Sequence, residues 1–344
     1  MKQELGASPL RLHLNENTAG CSPRVLAALQ AVTREQAAYY PDYERATAVC
    51  AARLGVTPDE LVLTNGLDEG ILGVAMSALR IRRDRGATEA IVPEPAFDVY
   101  ASASDAAGAQ VVHVGPEPDL AFPLEGVLAA VSARTAVVFV TSPNNPTGVP
   151  IARDAILQVA ERARNALVLV DEAYADFGGT TLIGDEALAG LPNVIVGRTF
   201  AKAYGLAGIR VGALIGHPAE IDVLRRVLLP YSVNTYAVAA LQAAFEDLEY
   251  YDWYRGEVEQ SRRILSDALQ RLGVKFWPSA ANFVLANFGD RSTAVLAGLA
   301  ERGIVVRDRS RDPGCAGCLR ITAGIVSHTR ACVAALEEVV CAVR

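Results

Sequence analysis

Seven short apolar runs lie between Glu60 and Gly216, each ending on polar or turn residues: "ELVLTNG", "EAIVPEP", "QVVHVGP", "AVVFVTSPNNP", "ALVLVDEA", "NVIVGRT" and "RVGALIG". They read as strands buried on both faces, the pattern of parallel strands covered by helices. Helical stretches lie between several of them. One is "ARDAILQVAERAR", whose apolar residues recur at the spacing that gives a helix one buried face. Alternation of strand and helix predicts an α/β sheet, and such sheets bind ligands where their strands end. The residues that stop the runs are therefore the place to look for chemistry.

After Pro230 the pattern changes. A long helical region is predicted from Thr235 to Leu272, with Gly273 as its stop signal, followed by the strand-like runs "VKFW", "NFVLANF", "GIVVRD" and "LRITAG". This reads as a smaller α+β domain. Ser22 and Pro23 carry the cap and first-turn signals for a helix over "RVLAALQAV", and that opening segment is expected to pack on the later domain. A length of 344 residues leaves room for two such bodies.

With 39 acidic against 32 basic residues and no long basic run, nucleic acid and anionic membranes are poor partners for this surface. A local basic pocket for a small anion stays open. The opening "MKQELGASPLRLHLNENTAG" lacks the apolar core of a signal peptide, and no run reaches the length of a membrane span, so the expected compartment is the cytoplasm, with its six cysteines reduced. Cys315 and Cys318 in "PGCAGC" have the gap of a zinc half-site. His13, His113, His217 and His328 supply no matching pair, so no metal is expected there, only two small residues in a Gly/Pro loop.

The run-ending residues form a set. In "LTNGLDEGIL" the Asn65-Gly66 turn leads into a helix opening at Leu67 and Asp68, whose free backbone N–H groups can hold an anion. In "SPNNPTG", Asn145 precedes Pro146 and is expected to be extended. "LVLVDEAY" ends an apolar strand on Asp171, with Tyr174 shortly after. "RTFAKAYGLAGIR" sets Lys202 among small and apolar residues, between Thr199 and Arg210. Singly these could be a turn, a helix cap, a surface lysine and a surface ion pair. Together they match one cofactor: a desolvated lysine amine for an aldehyde, an anion for a ring nitrogen, donors for a phenolic oxygen, and a hydroxyl with a guanidinium for a phosphate. That cofactor is pyridoxal phosphate.

With "LNENTAGCSP", "YYPDYE", "VDEAYADF", "NFVLANF", "GIVVRD" and "LRITAG" added, the chain resembles, in order and over nearly its whole length, the histidinol-phosphate aminotransferases of the aspartate-aminotransferase superfamily. The resemblance implies a three-layer α/β fold: a large cofactor-binding domain at 32–240 around a mostly parallel seven-stranded sheet, and a small α+β domain from 1–31 and 241–344. It implies a homodimer with shared active sites, in which Tyr40 of "YYPD" reaches the neighbouring subunit's phosphate. Lys202 would be the Schiff-base lysine and the base that moves the substrate proton; Asp171 would keep the pyridine nitrogen protonated. Asn145 and Tyr174 would bond the phenolic oxygen, Thr199, Arg210 and the backbone of Gly66, Leu67 and Asp68 the phosphate, and Phe97 would lie on the ring. Arg320, Arg307 and Asn15 would meet the substrate.

The implied reaction converts histidinol phosphate and 2-oxoglutarate to imidazole-acetol phosphate and glutamate, a step of histidine biosynthesis. An aromatic or other amino-acid aminotransferase, or a lyase similar to threonine-phosphate decarboxylase, uses the same scaffold. A transcription regulator with an aminotransferase-like domain needs a DNA-binding module ahead of residue 12, and a nicotinamide dehydrogenase needs a G-x-G-x-x-G that does not occur. The sequence departs from the family wording at Leu67, for a small or hydroxyl residue, at Ala201, for serine, and at Ser232, for asparagine. The first two each remove a phosphate hydrogen bond, on the order of 1 kcal/mol.

Overall fold

In the computed structural model, which describes residues 9–342 apart from 83, 85 and 179, all seven apolar runs are strands of one sheet. Residues 1–8 and 343–344 of the expected small domain lie outside the described residues. The chain opens with strand β1 (Leu10–Leu12) and helices α1 (Pro23–Gln30), α2 (Arg34–Ala38) and α3 (Tyr43–Leu54). Then follow β2 (Leu61–Thr64), α4 (Leu67–Arg82), β3 (Glu89–Pro93), α5 (Val99–Ala106), β4 (Gln110–Val114), α6 (Leu124–Ala130), β5 (Thr135–Thr141), α7 (Arg153–Arg162), β6 (Leu167–Asp171), β7 (Val194–Thr199) and β8 (Gly212–Gly216). The last part holds α8 (Pro218–Val227), α9 (Thr235–Glu246), α10 (Leu248–Arg271), β9 (Lys275–Phe276), β10 (Phe283–Asn287), α11 (Ser292–Glu301), β11 (Ile304–Asp308), β12 (Cys318–Thr322) and α12 (Val326–Ala342).

The large sheet runs β2-β8-β7-β6-β5-β3-β4. Neighbours from β7 to β4 are parallel, whereas β8 is antiparallel to both β7 and β2. The run "RVGALIG" thus departs from the parallel expectation: it turns back directly after the Lys202 segment. An unbroken apolar run reports burial on both faces, and β8, inside the sheet, is buried at every residue but its last. Strand direction leaves no mark on that pattern. Every residue of β3, β5, β6 and β7 is buried, while β4, at the sheet's edge, is half exposed.

A five-stranded sheet, β1-β11-β12-β10-β9, forms the second body. Its first strand comes from the start of the chain, with Leu10, Arg11 and Leu12 beside Ile304, Val305 and Val306. Leu12 joins the smaller hydrophobic core with Leu265, Val284 and Leu336, whereas Val25 of α1 joins the larger one, and α1 packs on α9. Ser22 caps α1 as its sequence implies, its hydroxyl accepting from the Val25 N–H at 3.2 Å.

The helical stretch expected to run from Thr235 to Leu272 is broken at Asp247, which closes α9 and opens α10, its carboxylate accepting from the Tyr250 N–H. Helix α10, with 24 residues, spans about 36 Å. Tyr251, Tyr254 and Val258 lie in the larger core and Leu265 and Leu269 in the smaller, so this one helix ties the two together. Of the aromatic residues near its start, Tyr251 and Tyr254 are thereby accounted for as helix packing, while Trp253 stays exposed.

Candidate active site

The ends of β5, β6 and β7 and the start of α4 open toward one cavity of about 210 Å³ between the two sheets. Asp171, the last residue of β6, is buried at its floor. Burial disfavours its carboxylate and pushes its pKa up to about 6, against the Tyr100 hydroxyl on one oxygen and the Ala173 N–H on the other. At neutral pH it remains an anion. Lys202 enters the same cavity, its Nζ donating to the Leu14 carbonyl at 3.1 Å. Desolvation, helped by the Arg320 charge, pulls its pKa down to about 8. A carboxylate and an amine with displaced pKa values in one cleft are the mark of a site built for proton transfer or nucleophilic attack.

At one end of the cavity stand Leu67 and Asp68, in the first turn of α4, and Arg210. Arg210 Nη2 bonds Asp68 Oδ2 at 2.9 Å, and its guanidinium lies so near Gly66 that a Cβ there would sit 2.5 Å from Nη2. Gly66 has a φ of 74° and Arg210 a φ of 61°. The second is costly for a residue with a side chain, by roughly 1 kcal/mol, and such strain persists where the surroundings require it. The Thr199 hydroxyl accepts from the Ala201 N–H at 3.2 Å, which leaves its own proton to donate. Helix N–H groups, a guanidinium and a hydroxyl together make an anion site. The Leu67 side chain turns away from it into the core, its Cδ1 2.9 Å from where a Gly197 Cβ would stand. Leu67 therefore offers only backbone to the cavity, as its departure from the family wording implies.

The opposite wall comes from the small sheet. Register sets Arg307 of β11 directly across from Arg320 of β12, so both guanidiniums leave one face of the sheet, and both line the cavity. Like charges facing each other across two strands destabilise a sheet. Arg320 is buried, and its hydrogen bonds go to neutral groups, the Asn145 Oδ1 and the His13 carbonyl, while its Nε has no partner. Desolvation and its neighbouring arginines pull its pKa down to about 10. Such a cation calls for an incoming anion. Asn145, with its oxygen engaged by Arg320, keeps its amide hydrogens to donate. Asn15, at a φ of 55°, donates from Nδ2 to the Tyr174 hydroxyl at 3.2 Å and fixes that phenol over the floor. Phe97 also borders the cavity.

The structure thus brings Asn15, Leu67, Asp68, Phe97, Asn145 and Asp171 together with Tyr174, Thr199, Lys202, Arg210, Arg307 and Arg320, with Gly66 behind Arg210. Tyr40 stands apart: it is 76 % exposed and stacks on Tyr231, ring centroids 4.1 Å apart, along a different groove. Among the cavity residues that escaped the sequence reading are Leu14, Tyr100, Thr141 and Arg309. Tyr100 carried a usable signal, since it follows Phe97 by one helical turn at the start of α5. Arg309 carried none, because its burial depends on the Ala96 carbonyl and Asp312 closing around it. The peptide bond between Asn145 and Pro146 is cis. Cys315, in the Gly/Pro loop, and Cys318, the first residue of β12, are free thiols fully buried with Trp277 and Leu285.

Comparison with known proteins agrees with this arrangement. The model of the family described as aminotransferase class I and II matches residues 8–336. Histidinol-phosphate aminotransferase 2 of Pseudomonas fluorescens (strain Pf0-1) is 35 % identical over 338 residues, 97 % of this chain and 89 % of that protein. The histidinol-phosphate aminotransferase of Rhodospirillum centenum is 36 % identical over 337 residues, 96 % of this chain and 91 % of that one. Among solved structures, histidinol-phosphate aminotransferase from Sinorhizobium meliloti in complex with pyridoxal-5'-phosphate superposes with a TM-score of 0.86 at 26 % identity, covering 98 % of this chain and 93 % of that one. The chain belongs to the class I and II aminotransferases and, among them, to the histidinol-phosphate aminotransferase family.

Proposed function

We propose that the chain is a pyridoxal-phosphate-dependent transaminase that exchanges the amino group of histidinol phosphate with 2-oxoglutarate, giving imidazole-acetol phosphate and glutamate in histidine biosynthesis. The observation that carries the substrate reading is the pair Arg307 and Arg320, two cations set opposite each other on the wall facing Lys202. One substrate brings a phosphate and the other two carboxylates, and arginine forks accept either.

The residues present suit the cofactor. Lys202 offers a desolvated amine, Asp171 a buried carboxylate, and Arg210, Thr199 and the α4 N-terminus an anion site. When bound, pyridoxal phosphate supplies an aldehyde that takes up the amino group and a ring that accepts electrons from the adjacent carbon. Lys202 would carry that aldehyde at rest. Its Nζ, when free, would serve as the base that moves the proton of the amine-bearing carbon. Asp171 would hold a proton on the ring nitrogen. Asn145 and Tyr174 would donate to the phenolic oxygen, and Phe97 would cover the ring face and exclude water. Arg210, Thr199 and the backbone of Gly66, Leu67 and Asp68 would grip the phosphate. Arg320, Arg307 and Asn15 would orient the substrate.

The same reading divides the chain into a cofactor-binding domain at 32–240 and a small domain from 1–31 and 241–344; the pairing of β1 with β11 supports it, although α1 lies with the larger core. It also takes the protein to be a cytoplasmic homodimer in which Tyr40 completes the partner's phosphate site. The exposed Tyr39, Tyr40, Leu229 and Tyr231 support such an interface. Among the described residues no helix is long and apolar enough to cross a membrane.

The test mixes the yellow, cofactor-loaded protein with L-histidinol phosphate, L-glutamate or L-phenylalanine in single turnover and follows loss of the yellow absorbance. Fast conversion by the first two is expected. Faster reaction with phenylalanine would overturn the substrate assignment, and amine turnover that never needs a keto acid would point to a lyase.

A further inference from the structure

Tyr100 is fully buried beside the cavity floor, and its hydroxyl sits in a chain of two short hydrogen bonds. The Thr141 hydroxyl donates to it at 2.8 Å, and it donates to Asp171 Oδ2 at 2.6 Å. The direction is forced, because a carboxylate can only accept and the phenol has one proton to give. The ring cannot swing aside: Phe139 stacks on it with centroids 5.0 Å apart, and Phe97 meets it edge-on at 5.8 Å. Asp171 thus has Oδ2 held by a pinned phenol and Oδ1 by the Ala173 N–H at 2.8 Å.

We propose that Tyr100, backed by Thr141, is a positioning residue for the reaction, holding Asp171 as an aimed, ionised carboxylate toward the cofactor's ring nitrogen. This rests on the reading that Asp171 meets that nitrogen. The charge of Asp171 is opposed from several sides. Burial disfavours it, and so do Asp68 on α4 and Glu172 next in the chain, although Glu172 is itself paired with Arg198 at 3.3 Å. Tyr174 faces the same floor, and Lys202 shares the cavity. The Tyr100 hydroxyl and the Ala173 N–H work the other way, stabilising the anion. A phenylalanine at 100 would fill the same space and leave Oδ2 without that donor. Asp171 would then take up a proton at higher pH and lose its ability to balance a charged ring nitrogen. Hydrogen bonds linked in series also strengthen one another, which gives Thr141 a share in the effect.

The test strips the protein of cofactor and measures its affinity for pyridoxal 5'-phosphate from acid to alkaline pH in wild type, Tyr100→Phe, Thr141→Val and Asp171→Asn. Tyr100→Phe is expected to weaken binding about tenfold at neutral pH and to move the acid limb of the binding curve up by about one pH unit. Thr141→Val should shift the limb in the same direction by less, and it keeps the ring in place should Tyr100→Phe fold poorly. If Asp171→Asn binds weakly while both other variants keep the wild-type acid limb, Tyr100 is packing only and the inference fails. If Asp171→Asn binds like wild type, the assignment of Asp171 itself fails, which is a separate result.

Discussion

The two walls of the cavity are built on opposite electrostatic plans. At the ends of the large sheet the polar groups find partners within the fold: Asp171 has Tyr100 and Ala173, Thr199 has Ala201, Arg210 has Asp68. On the small sheet Arg320 is buried with only neutral partners, and Arg307 faces it across the strands. The first wall is settled before anything binds, as a site for a resident cofactor should be. The second carries two arginines with no carboxylate bonded to either among the described residues, Arg307 exposed and Arg320 buried, as a site for passing anionic substrates should. Preorganisation stabilises the one, and facing like charges leave the other open to an incoming anion.

Substitutions on the two walls should therefore differ in kind. The largest effect is expected at Lys202, which serves both: Lys202→Ala should lower turnover by about a thousandfold or more, read in steady state and in single turnover. Next comes the direct contrast. Asp171→Asn should reduce kcat about a hundredfold and weaken cofactor retention, whereas Arg320→Leu should raise KM for 2-oxoglutarate about 30- to 100-fold with cofactor retention unchanged. Loss of cofactor from Arg320→Leu to the extent seen in Asp171→Asn would break the division between the walls.

A smaller effect follows from the Lys202 amine, whose pKa is pulled down to about 8 by desolvation. The charged form is the one penalised, so the neutral, reactive amine gains as pH rises through that value. Capture of pyridoxal phosphate by the stripped protein should accelerate about tenfold between pH 7 and 9. An acceleration centred near the ordinary lysine value would mean that the amine is not desolvated. The smallest effect has the opposite sign to most substitutions. Arg307→Leu removes one of two facing like charges and should stabilise the substrate-free protein by about 0.2–1 kcal/mol while weakening substrate binding, as thermal melts with and without 2-oxoglutarate would show. Destabilisation instead would show that Arg307 is already compensated.

The apolar runs, the residues that end them, and the Ser22–Pro23 and Asn65–Gly66 signals were legible because each rests on local chemistry: burial of a strand on both faces, a cap, a turn. Asp171, Thr199 and Lys202 were legible for the same reason, since a polar residue closing an apolar run stands out against it. The antiparallel direction of β8, the break at Asp247 and the packing of α1 beside α9 were not, because direction and partner leave no periodic trace along one chain. Tyr100 was missed in the sequence, and only the packing of α5 on β3, β4 and α4 aims its hydroxyl at Asp171. What the sequence alone determined was the inventory: an amine, a carboxylate, a phenol, an anion-binding turn and two arginines, each tied to a strand or helix end by short-range rules. The tertiary structure decided their balance. Charge, burial and hydrogen-bond direction depend on which elements meet: Arg307 comes opposite Arg320 when β11 pairs with β12, Asp171 is pinned when α5 packs on the large sheet, and Arg307 and Arg320 join Lys202 around one cavity once the two sheets close.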